Sequence, residues 1–517
     1  MAELVDALDL GSSGAICGGS SPSARTMEHN LTPETAQNPE NGKAFIVSLG
    51  CPKNRVDSEV MLGHLAQAGY GDAASPEEAD VIVVNTCAFI EAAKEESVDA
   101  IVEMVQLKNI GRPKKIIVAG CLSQRYAPEL QKELPEVDHF LGTGNFEQIV
   151  DVLQGRHNHD LVQIERTDHA RLRGPNKLEP FSHFGDPDAP NIVIPQPDFT
   201  LTSKSPRRAT LPGHSTYLKV SEGCSNTCAF CIIPKLRGPQ RSRPIIDLVE
   251  ETHRLFAAGA VEINLIAQDL CAFGKDRRDA NETLAELLYA LDAVAAEYHR
   301  PTWIRCLYAY PKGLTRRVMD AMAQCTSVVP YLDMPLQHIA DAMLRRMKRG
   351  TGGADTRKLL KEMKEVVPDL VLRTTMITGM PGETDEEFQE LCDFVEEMRF
   401  DNMGVFAYSR EEDTPAALMD DQVPQELAEE RRGVLLAIQQ KIAHDKAEAL
   451  VGTVVEVLVD GVSDETDLLL QGRHRGQAPE IDGVTYINDG TASRGDVVRV
   501  LVDQAGDYDV VGGIVVD

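Results

Sequence analysis

The stretch VSEGCSNTCAFCIIPKLRG, residues 220–238, sets Cys224, Cys228 and Cys231 within eight positions of a chain that has only eleven cysteines in 517 residues. Thiolates are soft ligands suited to zinc or to iron–sulfur clusters. A structural zinc site usually recruits four ligands as two CxxC pairs. The spacing CxxxCxxC offers a single set of three. Three thiolates on a cubane cluster occupy three irons and leave the fourth open to a substrate or cofactor, whereas a fully ligated cluster is more naturally an electron carrier. The spacing therefore points to an open-iron cluster, with zinc or a purely structural role as the alternative.

Working outward, STYLKVSEG before the motif reads as a strand and begins a series. VEINLIAQD, WIRCLYAYP, YLDMPLQH, VLRTTMITG and NMGVFAYS follow, each succeeded by amphipathic helical sequence. Six βα units predict a partial (β/α)6 barrel over 213–448, open where an eight-unit barrel would close. Active sites of such barrels lie at the C-terminal ends of the strands, so the three cysteines fall in the mouth. Residues 43–150 also alternate strand and helix, KAFIVSLGC, ADVIVVNTC and KKIIVAGC being the strands, and predict an N-terminal parallel α/β domain. Cys51, Cys87 and Cys121 each end one of these strands, at the edge where open parallel sheets bind ligands. Buried structural cysteines are the alternative for this second set.

The flanks are plainer. Residues 1–42 are rich in Ser, Gly, Pro and Asn, lack a signal peptide's basic start and apolar core, and are expected to be a disordered tail in which Met27 is an alternative candidate start. Residues 151–212 are read as a linker with a hairpin at NIVI. Five short β-branched runs over 449–517 predict a small all-β barrel of oligomer-binding type.

Composition bounds the function. Hydrophobic residues make up 43% and charged residues 26%, and no apolar run approaches the roughly 18 to 20 residues that cross a bilayer, so no membrane partner is expected. An odd number of cysteines without a secretory signal argues against a disulfide framework and for a reducing cytoplasm. The net charge of −29 is the wrong sign for neutralising phosphates. Over 451–517, thirteen Asp and Glu stand against four Lys and Arg. This argues against direct nucleic-acid binding and favours a basic partner, solubility alone being the bland alternative.

With Phe230 before the third cysteine, CxxxCxxC after the first strand of a partial barrel resembles the radical S-adenosylmethionine superfamily. The resemblance implies that the open iron is chelated by S-adenosylmethionine. It also implies that electron transfer cleaves this cofactor to a hydrogen-abstracting radical, with the protein supplying binding, orientation and exclusion of water. An N-terminal domain with three strand-end cysteines, a radical barrel and a C-terminal β-barrel together resemble the methylthiotransferases, the last module resembling their TRAM domain. That resemblance covers essentially all of 43–517 and implies two 4Fe-4S clusters, one on Cys51, Cys87 and Cys121 and one on Cys224, Cys228 and Cys231. SLGCPKNRVDSE around Cys51, YLDMPLQHI at 331–339 and GVFAYSREEDTPA at 404–416 look like the branch that modifies an aspartate of ribosomal protein S-12 to 3-methylthioaspartate. An electron donor such as flavodoxin or ferredoxin and a sulfur donor are implied as partners. The rivals are methylthiolation of transfer-RNA adenosine and a non-catalytic iron–sulfur protein.

Position makes Gln268, Asp269, Arg373 and the turn GMPGE, with Gly379, Pro381 and Gly382, candidates for contacting the cofactor, with loop capping as the alternative. Arg373 or another cation at the mouth suits a substrate carboxylate. Gln337 and His338 are further candidates by position, and for His338 and Arg373 strand-end hydrogen bonding competes. Cys17, Cys271, Cys306, Cys325 and Cys392 lack ligand spacing and are expected to be small buried hydrophobes, Cys271 lying nearest the mouth. The charged run at 426–432 is expected to be a solvated helix face.

Overall fold

A computed structural model of the chain describes residues 40–155, 181–183 and 191–515. Met27, Cys17, nearly all of the expected tail and much of the expected linker lie outside the described residues.

The first sheet contains β1 (Lys43–Ser48), β2 (Gly71–Asp72), β3 (Val81–Thr86), β4 (Lys115–Gly120), β5 (His139–Leu141) and β6 (Ile192–Val193) in the order β2-β1-β3-β4-β5-β6. All its pairings are parallel. The central strand VIVVNT is buried at every position, because helices cover both faces of a parallel sheet. The NIVI segment bridges back to His183 antiparallel through Ile194, as a hairpin would. It also returns to this sheet as the edge strand β6, parallel to β5, so part of the expected linker belongs to the first domain. Residues 201–212 strap that domain to the next. Arg207 bridges Glu59 at 2.7 Å on α1 (Pro52–Gln67) and Glu251 at 3.0 Å on the helix Ile245–Ala257.

The second sheet is the six-stranded partial barrel. Its strands are β7 (Ser215–Lys219), then, after the antiparallel pair β8 (Ser221–Glu222) and β9 (Arg241–Ser242), β10 (Glu262–Ile266), β11 (Trp303–Cys306), β12 (Val328–Asp333), β13 (Val371–Thr378) and β14 (Asn402–Ala407). They lie in the order β14-β13-β12-β11-β10-β7. Strand alternation divides the side chains between two faces. Leu218, Ile263, Leu265, Ile304, Leu332 and Leu372 pack against the surrounding helices. Tyr217, Trp303 and Tyr331 share a second cluster with α1 and the C-terminal domain.

That C-terminal domain is a closed antiparallel barrel except for one parallel pair. It comprises β15 (Val454–Val462), β16 (Leu470–His474), β17 (Thr485–Asp489), β18 (Val497–Ala505) and β19 (Val510–Ile514) in the order β15-β16-β17-β19-β18. It docks through β16 and the segment after it. Glu262, wholly buried, is clamped by Arg305 at 3.0 Å and Arg473 at 2.7 Å. Asp482 accepts from Tyr331 at 2.6 Å, and Glu480 takes Tyr217 at 3.1 Å and Arg55 of α1 at 2.8 Å. Glu480 is thus where all three domains meet. Part of the acidic surplus of this module faces inward onto cations of the chain itself.

His474 tests this docking. Its imidazole is half-buried, accepts the backbone N–H of Gly476 at Nδ1 (3.0 Å), and is held neutral down to about 4 by burial and then by the charge of Arg305. A folded-state value below the unfolded one means that the unfolded chain takes up the proton first, so stability is lost as pH falls from about 6.5 to about 4. Discounted for partial exposure, the loss is ~2–3 kcal/mol. Melting temperature followed across that range should fall in the wild type and flatten in H474Q.

Candidate active site

Three adjacent strands position the first set of thiols. Cys51 caps α1 just past β1, Cys87 directly follows β3, and Cys121 opens the helix Cys121–Glu133 after β4. Gly50, at φ +82°, allows the loops to close: a Cβ there would lie 2.7 Å from Cys87 Cβ. Asn54 staples the loops, donating to Leu49 O at 3.1 Å and Thr86 O at 2.8 Å while its Oδ1 lies 3.9 Å from Cys121 Sγ. Burial, followed by the neighbouring Cys121 and Cys51, pushes the Cys87 thiol well above its ordinary range, and burial raises Cys121 too. Buried thiols such as Cys87 and Cys121 ionise only beside a cationic centre.

The second set lies on the loop after β7 and β8. Cys224 N–H donates to Gly238 O at 3.0 Å, and Asn226 donates to Asp269 at 2.7 Å and lies 3.5 Å from Cys224 Sγ. Arg349 donates to Cys228 Sγ at 3.3 Å while stacked 4.2 Å from the Tyr310 ring, whose hydroxyl is 3.9 Å from the same sulfur. Burial pushes Cys224 up to about 12 and raises Cys231, with Cys228 adding to the latter. All ten described cysteines are free thiols. Among the described residues, no three His, Cys, Asp or Glu close around one ion position. A cubane asks for something wider, each thiolate reaching a different iron. Two all-thiol triads, with Cys87, Cys121 and Cys224 buried and Cys51, Cys228 and Cys231 part-exposed, fit the donor set of an open iron–sulfur cluster.

The other sequence candidates divide. Gln268 donates to Glu222 at 2.6 Å and leaves its Oε1 without a partner. Asp269 caps the turn Leu270–Ala272 and holds Asn226, so it orders the cysteine loop. Phe230 packs beside Met343, Met347 and Met380. Gly379 and Gly382 both stand at φ +74°, Gly379 donates to Glu383 at 2.8 Å, and Pro381 is buried between them. Glu383 is the organiser of that turn, taking Arg431 at 2.7 Å and lying 3.3 Å from the fully buried His338. The run at 426–432 is therefore not wholly solvated, for Ala428 and Arg431 are buried against the turn. Arg373 takes the structural alternative. It is 4% exposed and committed to Asp333 at 3.0 Å and Asp482 at 3.3 Å, which leaves it no charge to offer a ligand. Cys271 is buried apart from both triads, with Gly313 against it.

Sequence reading missed the charged bridge between the triads. Arg237, on the short helix that follows Cys231, donates to Asn54, bonds Asp57 at 2.7 Å and meets Glu222 at 3.3 Å, while Lys219 joins Asp57 and Glu222 from β7. Burial pushes the Glu222 carboxyl upward, but Lys219 and Arg237 override it and hold the group well below the usual range. Lys53, two positions past Cys51, places its ammonium 3.0 Å above the ring of Tyr308, which follows β11 with a strained φ of +65°. The contacts that tie these groups to Asn54, Asp57 and Tyr308 all span more than a hundred residues.

A partial parallel barrel with a three-thiol loop after its first strand is the architecture of the radical S-adenosylmethionine enzymes. Residues 218–395 match the radical SAM superfamily, 43–142 the uncharacterized protein family UPF0004, and 451–515 the TRAM domain. TsrM, a radical S-adenosylmethionine methyltransferase from Kitasatospora setae solved with a tryptophan substrate and a SAM analog, shares the fold at a TM-score of 0.51 and 14% identity, over 77% of this chain and 89% of that one. The chain is 50% identical to the ribosomal protein uS12 methylthiotransferase RimO of Anaeromyxobacter sp. (strain K), over 92% of this chain and 93% of that protein. The RimO proteins of Myxococcus xanthus and Geobacter sulfurreducens are 47% and 44% identical over 91% and 92% of this chain, and 91% and 98% of their own lengths. The chain belongs to the RimO family of radical S-adenosylmethionine methylthiotransferases, which carries with it an iron–sulfur cluster and S-adenosylmethionine.

Replacing Arg237 by Met leaves Asp57 and Glu222 buried with Lys219 as their one remaining cation. Thermal and denaturant unfolding should show a loss of about 3–5 kcal/mol, as for other broken buried pairs, and iron content should fall.

Proposed function

We propose that this protein methylthiolates the β-carbon of an aspartate of ribosomal protein S-12, giving 3-methylthioaspartate, with Cys51, Cys87 and Cys121 holding one 4Fe-4S cluster and Cys224, Cys228 and Cys231 a second. The observation that carries the reading is two triads of free thiols, each short of a fourth ligand and joined by one network of buried charge. The names of its relatives supply the substrate. When bound, the cluster on the barrel loop supplies reductive cleavage of S-adenosylmethionine and hence hydrogen abstraction. Arg349 and Tyr310 steady Cys228, and Asp269 with Asn226 steadies Cys224. Gln268 Oε1 and the turn Gly379–Pro381–Gly382, with Phe230, are the groups we assign to the cofactor.

The net charge of −29 favours a basic protein over a nucleic acid as substrate. No described helix is long and apolar enough to cross a membrane, and a cytoplasmic enzyme served by an electron donor of the flavodoxin or ferredoxin class and by a sulfur donor fits the reaction.

Mass spectrometry of ribosomal protein S-12 from a deletion strain should show loss of one SCH3-for-hydrogen replacement. An unchanged modification, or a missing methylthio nucleoside in transfer RNA instead, would overturn the assignment. In reconstituted enzyme, Ala at Cys224, Cys228 or Cys231 should abolish 5′-deoxyadenosine formation. Ala at Cys51, Cys87 or Cys121 should retain it and stop sulfur transfer. Equal loss of cleavage in both sets would refute the division.

A further inference from the structure

Buried cations gather around the two triads, and Lys219, Arg237 and Arg373 among them are neutralised by carboxylates. Lys219 and Arg237 share Asp57 and Glu222, and Arg373 has Asp333 and Asp482. Arg349, 5% exposed, spends its donors on Cys228 Sγ and Pro335 O and stacks on Tyr310, which leaves Lys53 as the cation without a hydrogen-bonded or ion-paired partner among the described residues. Lys53 is 7% exposed, and among the described residues no carboxylate stands within ion-pair distance of its ammonium. The nearby acids are already engaged. Asp333 gives one oxygen to Arg373 and the other to the Tyr308 N–H, and Glu222 serves Lys219, Arg237 and Gln268. What the ammonium has in contact is the face of Tyr308 at 3.0 Å, and the strongest charge favouring its protonated form is that of Cys51, two residues away. An aromatic face attracts a cation and leaves room for an anion on the other side, but it does not replace the hydration that burial removes. Tyr308 is held there by a backbone conformation that a bulky residue adopts only under constraint.

Two elements set this pair. Lys53 stands on the first turn of α1, two residues from Cys51, and Tyr308 belongs to the barrel, two residues before Tyr310, which faces Cys228. The charge thus lies on the seam between the two triads, where a substrate must lie to be reached from both. We propose that the Lys53 ammonium, backed by Tyr308, binds the side-chain carboxylate of the target aspartate and sets its β-carbon between the clusters. The inference rests on the proposed reaction. It gives that reaction a specificity element, since the carboxylate is not consumed and a neutral amide in its place offers no charge to the ammonium.

The test compares S-12 peptides carrying the target Asp, or Asn in its place, on the reconstituted full-length enzyme. Wild type should prefer the Asp peptide in kcat/KM by at least about thirtyfold, the scale of a buried charge pair. In Lys53→Met the preference should fall to about threefold or less, mainly through KM, with iron content as in wild type. Lys53→Arg should recover part of it. If Lys53→Met fails to hold iron, Tyr308→Leu offers the same comparison, because loss of the aromatic face should also lower the Asp preference. An Asp preference unchanged in a variant that retains its iron overturns the inference alone. A wild type that modifies neither peptide nor intact S-12 overturns the proposed reaction and this inference with it.

Discussion

The buried cluster of Asp57, Lys219, Glu222 and Arg237 is the constraint on which the rest of the molecule depends. Its members come from α1 of the first domain, from β7 and β8 of the barrel, and from the helix that closes the CxxxCxxC loop. Two carboxylates and two cations are placed so that neither sign is left over, the condition under which buried charge is tolerated. A cluster of this sort adds little net stability over an apolar contact. It is strongly directional, however, and its Asn54 branch reaches Cys121. Domain pairing and the relative placement of the two triads are thereby fixed by one set of hydrogen bonds. Chemistry requiring two clusters over one carbon needs that kind of fixity more than it needs stability.

The C-terminal barrel repeats the device on the other flank. Glu262 between Arg305 and Arg473, and Arg373 between Asp333 and Asp482, lock it to the radical barrel, while Glu480 reaches through to Arg55 on α1. A force on the small barrel is therefore applied to the same helix whose N-terminus carries Cys51 and Lys53. Its remaining acidic surface faces solvent, where it can steer a basic protein toward the seam.

Local signals made the skeleton legible. Alternation of β-branched runs with amphipathic helices disclosed the parallel first sheet and all six barrel strands, and strand-end thiols stood out because their positions relative to the strands can be counted. What escaped was whatever depends on a distant partner. The pairing of Arg373 with Asp482, more than a hundred residues away, is invisible in the sequence, and so is the pairing of NIVI with the edge of β5. Arg349 and Tyr310 sit in stretches without motif, and only folding brings them to Cys228. The helical run at 426–432 shows the same limit. Its charge pattern is that of a solvated face, yet Arg431 turns inward to Glu383.

The contrast between Arg373 and Lys53 carries the argument about specificity one step further. Both are buried cations near Asp333, and charge alone would nominate either for a substrate carboxylate. Arginine's planar fork suits permanent bidentate pairing, and here it is used for that, between two carboxylates of different domains. Lysine is a compact point charge on a flexible stem, able to accept an anion that comes and goes without losing a fixed geometry. A site that must release its product each turnover gains from the second kind of cation at the reacting centre and the first kind in the frame around it. The structure distributes the two in that way, with the arginines holding domains together and one lysine over an aromatic ring at the seam between the triads.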